Sequence, residues 1–250
     1  MSKGGQAQFF DAVFEDNVRH TVDRAYAISA PIHAAYSDYL RAHVARMRVL
    51  ELGCGPGSHA FFVMEHEAEQ VIGIDISEVG IRLANQRAQM DGLANATFQV
   101  MNAEAMVFKP ASFDVVCGTG ILHHLDIERA LSEITRVLTP QGRAIFIEPL
   151  GYNPVINLFR LLTPRLRVNE EHPLLRRDLD DVSRYFHQVN FRFFFLLTVP
   201  ASALPSGGFR TWVIAVLNSI DQWFFKSVPG LKYLAWQILI IAENPVASAP

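Results

Sequence analysis

From residue 48 onward, short runs of apolar and β-branched residues alternate with longer segments whose apolar positions recur every three or four residues. The short runs predict strands at 48–52 (RVLEL), 70–76 (QVIGIDI), 96–101 (ATFQVM), 113–118 (FDVVCG) and 143–149 (RAIFIEP). Their near-continuous apolar content suits strands covered on both faces. Further strands are predicted at FRFFFLLTV (191–199) and WQILIIAEN (236–244). Between strands, residues 77–92 begin at Ser77, a good helix N-cap, and end at Gly92, which tolerates a left-handed C-terminal conformation. In the next helical segment Ile127, Ala130, Leu131, Ile134, Val137 and Leu138 share one face, with Asp126 at the start and Pro140 and Gly142 past the end. Strands joined by crossover helices predict an α/β fold with a doubly wound, mostly parallel sheet.

Three regions lie outside that alternation. Residues 1–46 predict helices at about 11–28 and, with Pro31 in its first turn, about 31–45, together a helical lid ahead of a main domain at 47–250. Residues 150–177 and 200–232 are rich in Pro, Arg and aromatics. Ligands of open α/β sheets sit beyond the carboxyl ends of the strands, so segments inserted there are expected to cover substrate.

Composition narrows the picture. With 250 residues, half of them hydrophobic, the chain can bury one substantial core. A net charge of -3 supplies no broad cationic field, so the expected partner is a small molecule and not a nucleic acid. Cys54 and Cys117 are too few for a disulfide framework and lack metal-ligand spacing, which suits a reducing cytoplasm. The most apolar stretches are interrupted by Arg, Pro, Asp or Lys before reaching the ~20 residues a membrane span needs. They read as core or pocket wall, with an amphipathic membrane-surface role as the competing reading.

The strand at 48–52 runs into GCGPGSHA, where Gly53, Gly55 and Gly57 permit a tight turn and close approach of backbone to a ligand. Ser58 stands where a dinucleotide fingerprint would have its third glycine, and no GK[ST] follows for a P-loop. The next strand ends in GIDIS, placing Asp75 where a carboxylate accepts hydrogen bonds from ribose hydroxyls. Taken in order, VLELGCGPGSHA, VIGIDIS, NAEAMVF, FDVVCGTGILHHL and LTPQGRAIFIEP resemble the successive motifs of the class I, type 11-like, S-adenosylmethionine-dependent methyltransferases over residues 48–149. The resemblance implies a seven-stranded Rossmann-like sheet and S-adenosylmethionine as cofactor. It places Glu51, Gly53, Gly55 and Gly57 at the methionine part, Asp75 at the ribose, and Ile76, Asn102, Ala103 and Glu104 around the adenine. Gly118 to Leu122 would pass beneath the sulfonium.

Methyl transfer from a sulfonium is an in-line displacement, served by aligning the acceptor and excluding water. A base is needed only for some acceptors. His123 and His124 follow the fourth strand, and a histidine could deprotonate a hydroxyl acceptor. After the fifth strand, Arg160, Arg165, Arg167, Arg176 and Arg177 lie near Glu170 and Glu171, a set that either holds an anionic group bidentately or pairs its own charges. Tyr152 and Trp212 join the substrate-facing candidates. An anionic anchor, an aromatic wall and a carboxylate together suit methylation of an alkene carbon in a short prenyl diphosphate. Glu170 would then remove the final proton and Arg160, Arg165 and Arg167 hold the diphosphate, with or without Mg²⁺. The segment after 149 is similar to terpenoid-type C-methyltransferases acting on geranyl diphosphate. The alternatives are an O-methyltransferase of a hydrophobic phenol or carboxylic acid with His123 as base, and a non-catalytic cofactor-binding module.

Overall fold

The structure, a computed structural model, describes residues 3–16, 28–57, 59–162 and 172–246. Two helices, α1 (Lys3–Asp16) and α2 (Ala30–His43), precede the alternating core. That core runs β1 (Arg48–Leu52), α3 (Ala60–Glu65), β2 (Gln70–Asp75), α4 (Glu78–Met90), β3 (Ala96–Val100), β4 (Phe113–Thr119), α5 (Ile127–Val137) and β5 (Leu138–Pro149). Beyond it come α6 (Pro154–Leu162), α7 (Arg176–Tyr185), β6 (Phe186–Phe194), α8 (Gly208–Ser227) and β7 (Gln237–Pro245). The strands form a 7-stranded sheet in the order β3-β2-β1-β4-β5-β7-β6. The strands from β1 to β5 pair in parallel, and β7 lies antiparallel between β5 and β6. This is the expected seven-stranded Rossmann-like sheet.

Successive strand residues point to opposite faces, so the central strands feed two cores, while the edge strand β3 buries Ala96 and Phe98 on one face only. Val49, Val71, Val115, Cys117, Ile145 and Ile147 pack with Ile32, Tyr36 and Leu40 of α2 and Ile81, Ala84 and Ala88 of α4. Leu50, Leu52, Ile74, Val116, Ala144 and Phe146 pack on the other face with Ala130, Leu131, Ile134 and Val137 of α5. The helix limits follow from local chemistry: the Ser77 hydroxyl accepts from the Gly80 amide, the Asp126 carboxylate accepts from the Arg129 amide, and Gly92 sits at φ +67°.

Three expectations move, the simplest being that β5 begins at Leu138 and not at 143, so Leu138 opens the strand instead of closing the helix before it. The first helix begins at Lys3 instead of about residue 11, because Gln6, Phe10 and Phe14 line a cleft and that packing outweighs the poor helix propensity of Gly4 and Gly5; positions 17–27 of the expected helix lie outside the described residues. The last third of the predicted 191–199 strand is not strand. β6 ends at Phe194 because buried Phe195 takes φ +66°. There the wholly buried Asp221 of α8 accepts hydrogen bonds from the amides of Leu196 and Leu197 and from the Thr198 hydroxyl, tying the chain's exit from the sheet to α8.

The antiparallel registers align Pro149, Gln237 and Phe194. The carboxyl ends of β5 and β6 therefore share an edge with those of β1, β2 and β4, and α6 and α8 both depart from it.

Candidate functional site

The site starts where β1 breaks into the glycine turn. Gly55 has φ +48°, and a Cβ there would fall 2.8 Å from the Phe14 ring; at Gly57, φ is +89° and a Cβ would run into the Phe61 ring. Glycine is demanded by both backbone and space. Two carboxylates fix the turn. Glu51, 2% exposed beneath it, accepts from the amides of His59 (3.3 Å) and Ala60 (2.8 Å), which pins the start of α3. Asp75, at the end of β2, accepts from the amides of Gly55 and Ser77, each at 2.8 Å.

A cleft open to solvent lies in front of the turn. Gly53, Asp75, Ile76, Met101 and Ala103 line one part, Thr119, Gly120, Ile121, His124 and Leu125 another, and Gln6, Phe10 and Phe14 of α1 lie across it. α1 is latched beside Asp75 by Asp11, whose carboxylate accepts from the Ser77 hydroxyl and from the Val79 amide at 3.2 Å. Asn102 accepts from the Glu104 amide, and Glu104 accepts from the Asp126 amide at 2.9 Å, so both shape the loop after β3. Gly118 is crowded by the Leu52 carbonyl, 2.9 Å from where a Cβ would sit.

Electrostatics suit a cation. Burial pushes the Glu51 carboxyl up to about 8, the two amide bonds opposing and the Asp75 charge adding to the rise. Burial likewise raises Asp75, against its amide bonds. Both carboxylates would gain from a nearby positive charge. The cleft thus offers an open backbone turn, the Asp75 carboxylate, apolar walls from Ile76, Met101 and Ala103, and an environment favouring positive charge. Those features fit S-adenosylmethionine. One consequence is measurable in urea unfolding. The folded protein holds the Glu51 proton more tightly than the unfolded chain, so Glu51 contributes stability at low pH that is lost as pH rises from about 4.5 through about 8. Glu51→Gln should remove that part of the slope. An unchanged slope would assign it to other groups.

A second constellation lies at the ends of β4 and β5. Glu148, completely buried, accepts from the amides of Ile121 (2.9 Å) and Leu122 (2.8 Å) through one oxygen and contacts His123 Nδ1 at 2.7 Å through the other. A carboxylate in its ionised form only accepts, and against such a partner Nδ1 would carry the hydrogen and Nε2 would be the basic nitrogen. A Cβ on Gly120, which lines the cleft, would lie 3.7 Å from His123 Cε1, so the imidazole backs the cleft wall.

Other candidates fall elsewhere. Glu170, Arg165 and Arg167 lie outside the described residues. Arg160 is on α6 with Asn157 at 3.5 Å. Tyr152 is 41% exposed, its hydroxyl accepting from the Arg176 amide, and Trp212 is 62% exposed on α8; neither lines the cleft bounded by Asp75. Among the described residues no group of three or more His, Cys, Asp or Glu is placed to hold a metal ion.

Sequence reasoning missed Glu148, Met101, Leu125 and the α1 residues. It also missed His59, whose Nε2 lies 3.2 Å from the Thr119 hydroxyl and which burial beside His33 lowers to about 4, keeping it neutral. Glu148 had a legible signal, an acid inside an apolar strand, which requires buried partners.

Comparison with known proteins agrees with the geometry. A family profile described as a methyltransferase domain matches residues 43–185. The chain is 32% identical over 125 residues to the uncharacterized methyltransferase YcgJ of Bacillus subtilis (strain 168), covering 49% of each. It is 33% identical over 159 residues to the ubiquinone/menaquinone biosynthesis C-methyltransferase UbiE of Rhizobium leguminosarum bv. trifolii, covering 58% of this chain and 60% of that protein. The chain thus spans about half the length of the curated relatives it matches. Among solved structures, geranyl diphosphate C-methyltransferase from Streptomyces coelicolor A3(2) shares the fold at a TM-score of 0.60 and 16% identity, over 86% of this chain and 80% of that one. With more than half its length matched by the family profile, the chain belongs to the methyltransferase-domain family, the class I transferases whose cofactor is S-adenosylmethionine.

Proposed function

We propose that the chain methylates a small hydrophobic acceptor bearing an acidic hydroxyl, of the phenol or hydroquinone kind, and that His123 takes the hydroxyl proton. The carrying observation is the buried Glu148–His123 contact at the strand ends beside the cleft. The bound cofactor would supply the electrophilic methyl group. Gly53, Gly55, Asp75, Ile76, Met101 and Ala103 would hold it, with Glu51 bracing the turn. Glu148 fixes the His123 tautomer and stabilises the imidazolium formed when the proton arrives. Deprotonation raises electron density on the oxygen and on the adjacent ring carbons, so the arrangement serves O-methylation and ring C-methylation alike. Relatives named for demethylmenaquinone and for ubiquinone/menaquinone C-methylation support a ring acceptor. In this reading residues 1–46 serve as a lid and 150–177 and 200–232 cover the acceptor.

The second reading, C-methylation of a prenyl diphosphate with Glu170 as base and Arg160, Arg165 and Arg167 as anchor, draws its support from the shared fold of the geranyl diphosphate enzyme. A labelled-methyl assay over naphthols, a short-chain demethylmenaquinol, geraniol and geranyl diphosphate, with products identified by mass and NMR, separates the two. The hydroxylated rings are expected to be methylated. Turnover of geranyl diphosphate alone would overturn the phenolic reading and return the role of base to Glu170.

A further inference from the structure

α8 does something a core helix does not. Its inner side is anchored by Ile214 and Asp221, both buried, with Val213 and Leu217 packed against the core. Yet Phe209, Trp212 and Trp223 are 62–68% exposed, and Val216 and Ile220 are each 38% exposed. At ~100° per residue these five positions fall within about 80° of the helix circumference, forming one outward stripe along its length. α6 repeats the feature on a smaller scale with exposed Val155, Leu158 and Leu162. Both helices leave the sheet at the cofactor edge, and the Asn153 side chain donates to the Leu234 carbonyl at 2.8 Å, tying the start of α6 to the turn that follows α8. A contiguous apolar exposure of this kind marks an interaction surface.

Charge identifies what it meets. The chain as a whole is acidic, at -3, but from residue 196 to 234 the charged residues are Arg210, Asp221, Lys226 and Lys232. Asp221 is wholly buried and spent on its own hydrogen bonds. Lys226 is exposed, while half-buried Arg210 donates to the Leu204 carbonyl and half-buried Lys232 lies over the Phe193 and Tyr233 rings, so the segment carries positive charge beside its exposed aromatics. A second copy docked through the same stripe would bring cations to cations with no exposed acid in the segment to pair them. An anionic bilayer surface complements both features, since tryptophan favours the interface and Lys and Arg are drawn to anionic headgroups. No helix among the described residues is long and apolar enough to cross a membrane, which leaves a helix lying in the interface plane.

We propose that α8, through Phe209, Trp212, Val216, Ile220 and Trp223, seats the protein on the surface of an anionic phospholipid bilayer. The docking surface stands whichever acceptor is methylated. Two of the three tryptophans lie on the stripe and Trp236 is buried, so the protein carries its own probe. With vesicles of equal parts phosphatidylcholine and phosphatidylglycerol, tryptophan emission should shift to the blue and be quenched by lipids brominated along the acyl chain. Raising salt from ~0.05 to ~0.5 M should weaken the binding without abolishing it, since only its charged part is screened. Trp212→Ser together with Trp223→Ser should lower vesicle partitioning in a sedimentation assay about tenfold or more, and Lys226→Glu should lower it on anionic vesicles alone. Both changes are on exposed positions, and unaltered circular dichroism and thermal midpoint would confirm intact folding. Absence of vesicle binding by the parent protein would overturn the proposal. So would a dimer in light scattering that the tryptophan variant makes monomeric while vesicle binding is unchanged, because the stripe would then be a contact between copies.

Discussion

Gly55→Val is expected to weaken S-adenosylmethionine binding by about two decades or more in calorimetry, while the protein stays folded. Three effects converge. Valine at φ +48° places a β-branched side chain in a region that residues other than glycine enter at a cost of ~1–2 kcal/mol or more. Its Cβ would fall 2.8 Å from the Phe14 ring, so α1 must shift from its position over the cleft. The Gly55 amide, 2.8 Å from Asp75, would move with the turn and release the carboxylate that is expected to receive the ribose. Together these approach ~3 kcal/mol, which is two decades in affinity. Asp75→Ala removes one charged hydrogen-bonding partner, ~1.5–3 kcal/mol, and should cost one to two decades. Because the two residues share a hydrogen bond, the double variant should lose less than the sum. Gly92→Ala supplies the control: Gly92 also sits at positive φ, +67°, but an added Cβ meets nothing within 4 Å. It should lose stability and keep its affinity. Equal loss of affinity at Gly92 and Gly55 would mean that backbone strain, and not the cofactor turn, was being read.

The central strands were legible because they bury both faces and so carry the same apolar signal whatever surrounds them: β1 spans the predicted 48–52 residue for residue. The turn was legible because its glycines answer a local backbone demand. Less visible were features set by contacts between distant segments. The FRFFFLLTV run looks like strand throughout, yet its last residues leave the sheet at Phe195 because Asp221, more than twenty positions later, satisfies their amides. The cleft wall from Gln6, Phe10 and Phe14 could not be read from α1, whose apolar residues follow no clean periodicity; their meaning lies in the glycine turn they cover. Trp212, an aromatic in an inserted helix, suited a pocket wall, and the helix turns it outward instead. Composition alone cannot tell those two uses of a tryptophan apart.

His123→Ala should lower kcat on a phenolic acceptor by ~10² or more, the usual scale of a lost general base, with cofactor affinity barely changed. His123 is not among the residues lining the cofactor cleft, and its carbonyl accepts from the His172 amide, a bond that survives truncation of the side chain. Added imidazole should restore part of the rate, which a merely structural role for the histidine would not allow. Glu148→Gln tests the same step from behind. The carboxylate meets four donors as an acceptor only, the amides of Ile121, Leu122 and His123 and the imidazole Nδ1–H. An amide at that position must turn its NH₂ toward one of them. If it turns toward the ring, Nδ1 becomes the acceptor and the proton moves to Nε2, the atom required to be basic. Turnover should then fall by a comparable factor with KM nearly unchanged, since the defect lies in the proton transfer and not in acceptor binding. If it turns toward the amides, the strand-end turn loses two hydrogen bonds at a fully buried site, and the thermal midpoint drops as well. Measuring both quantities separates the outcomes. Near-normal turnover in His123→Ala would overturn the assignment of the proton to His123. It would favour an acceptor whose reacting carbon needs no prior deprotonation, the alkene of a prenyl diphosphate being the one to assay next, with Glu170→Gln as the variant.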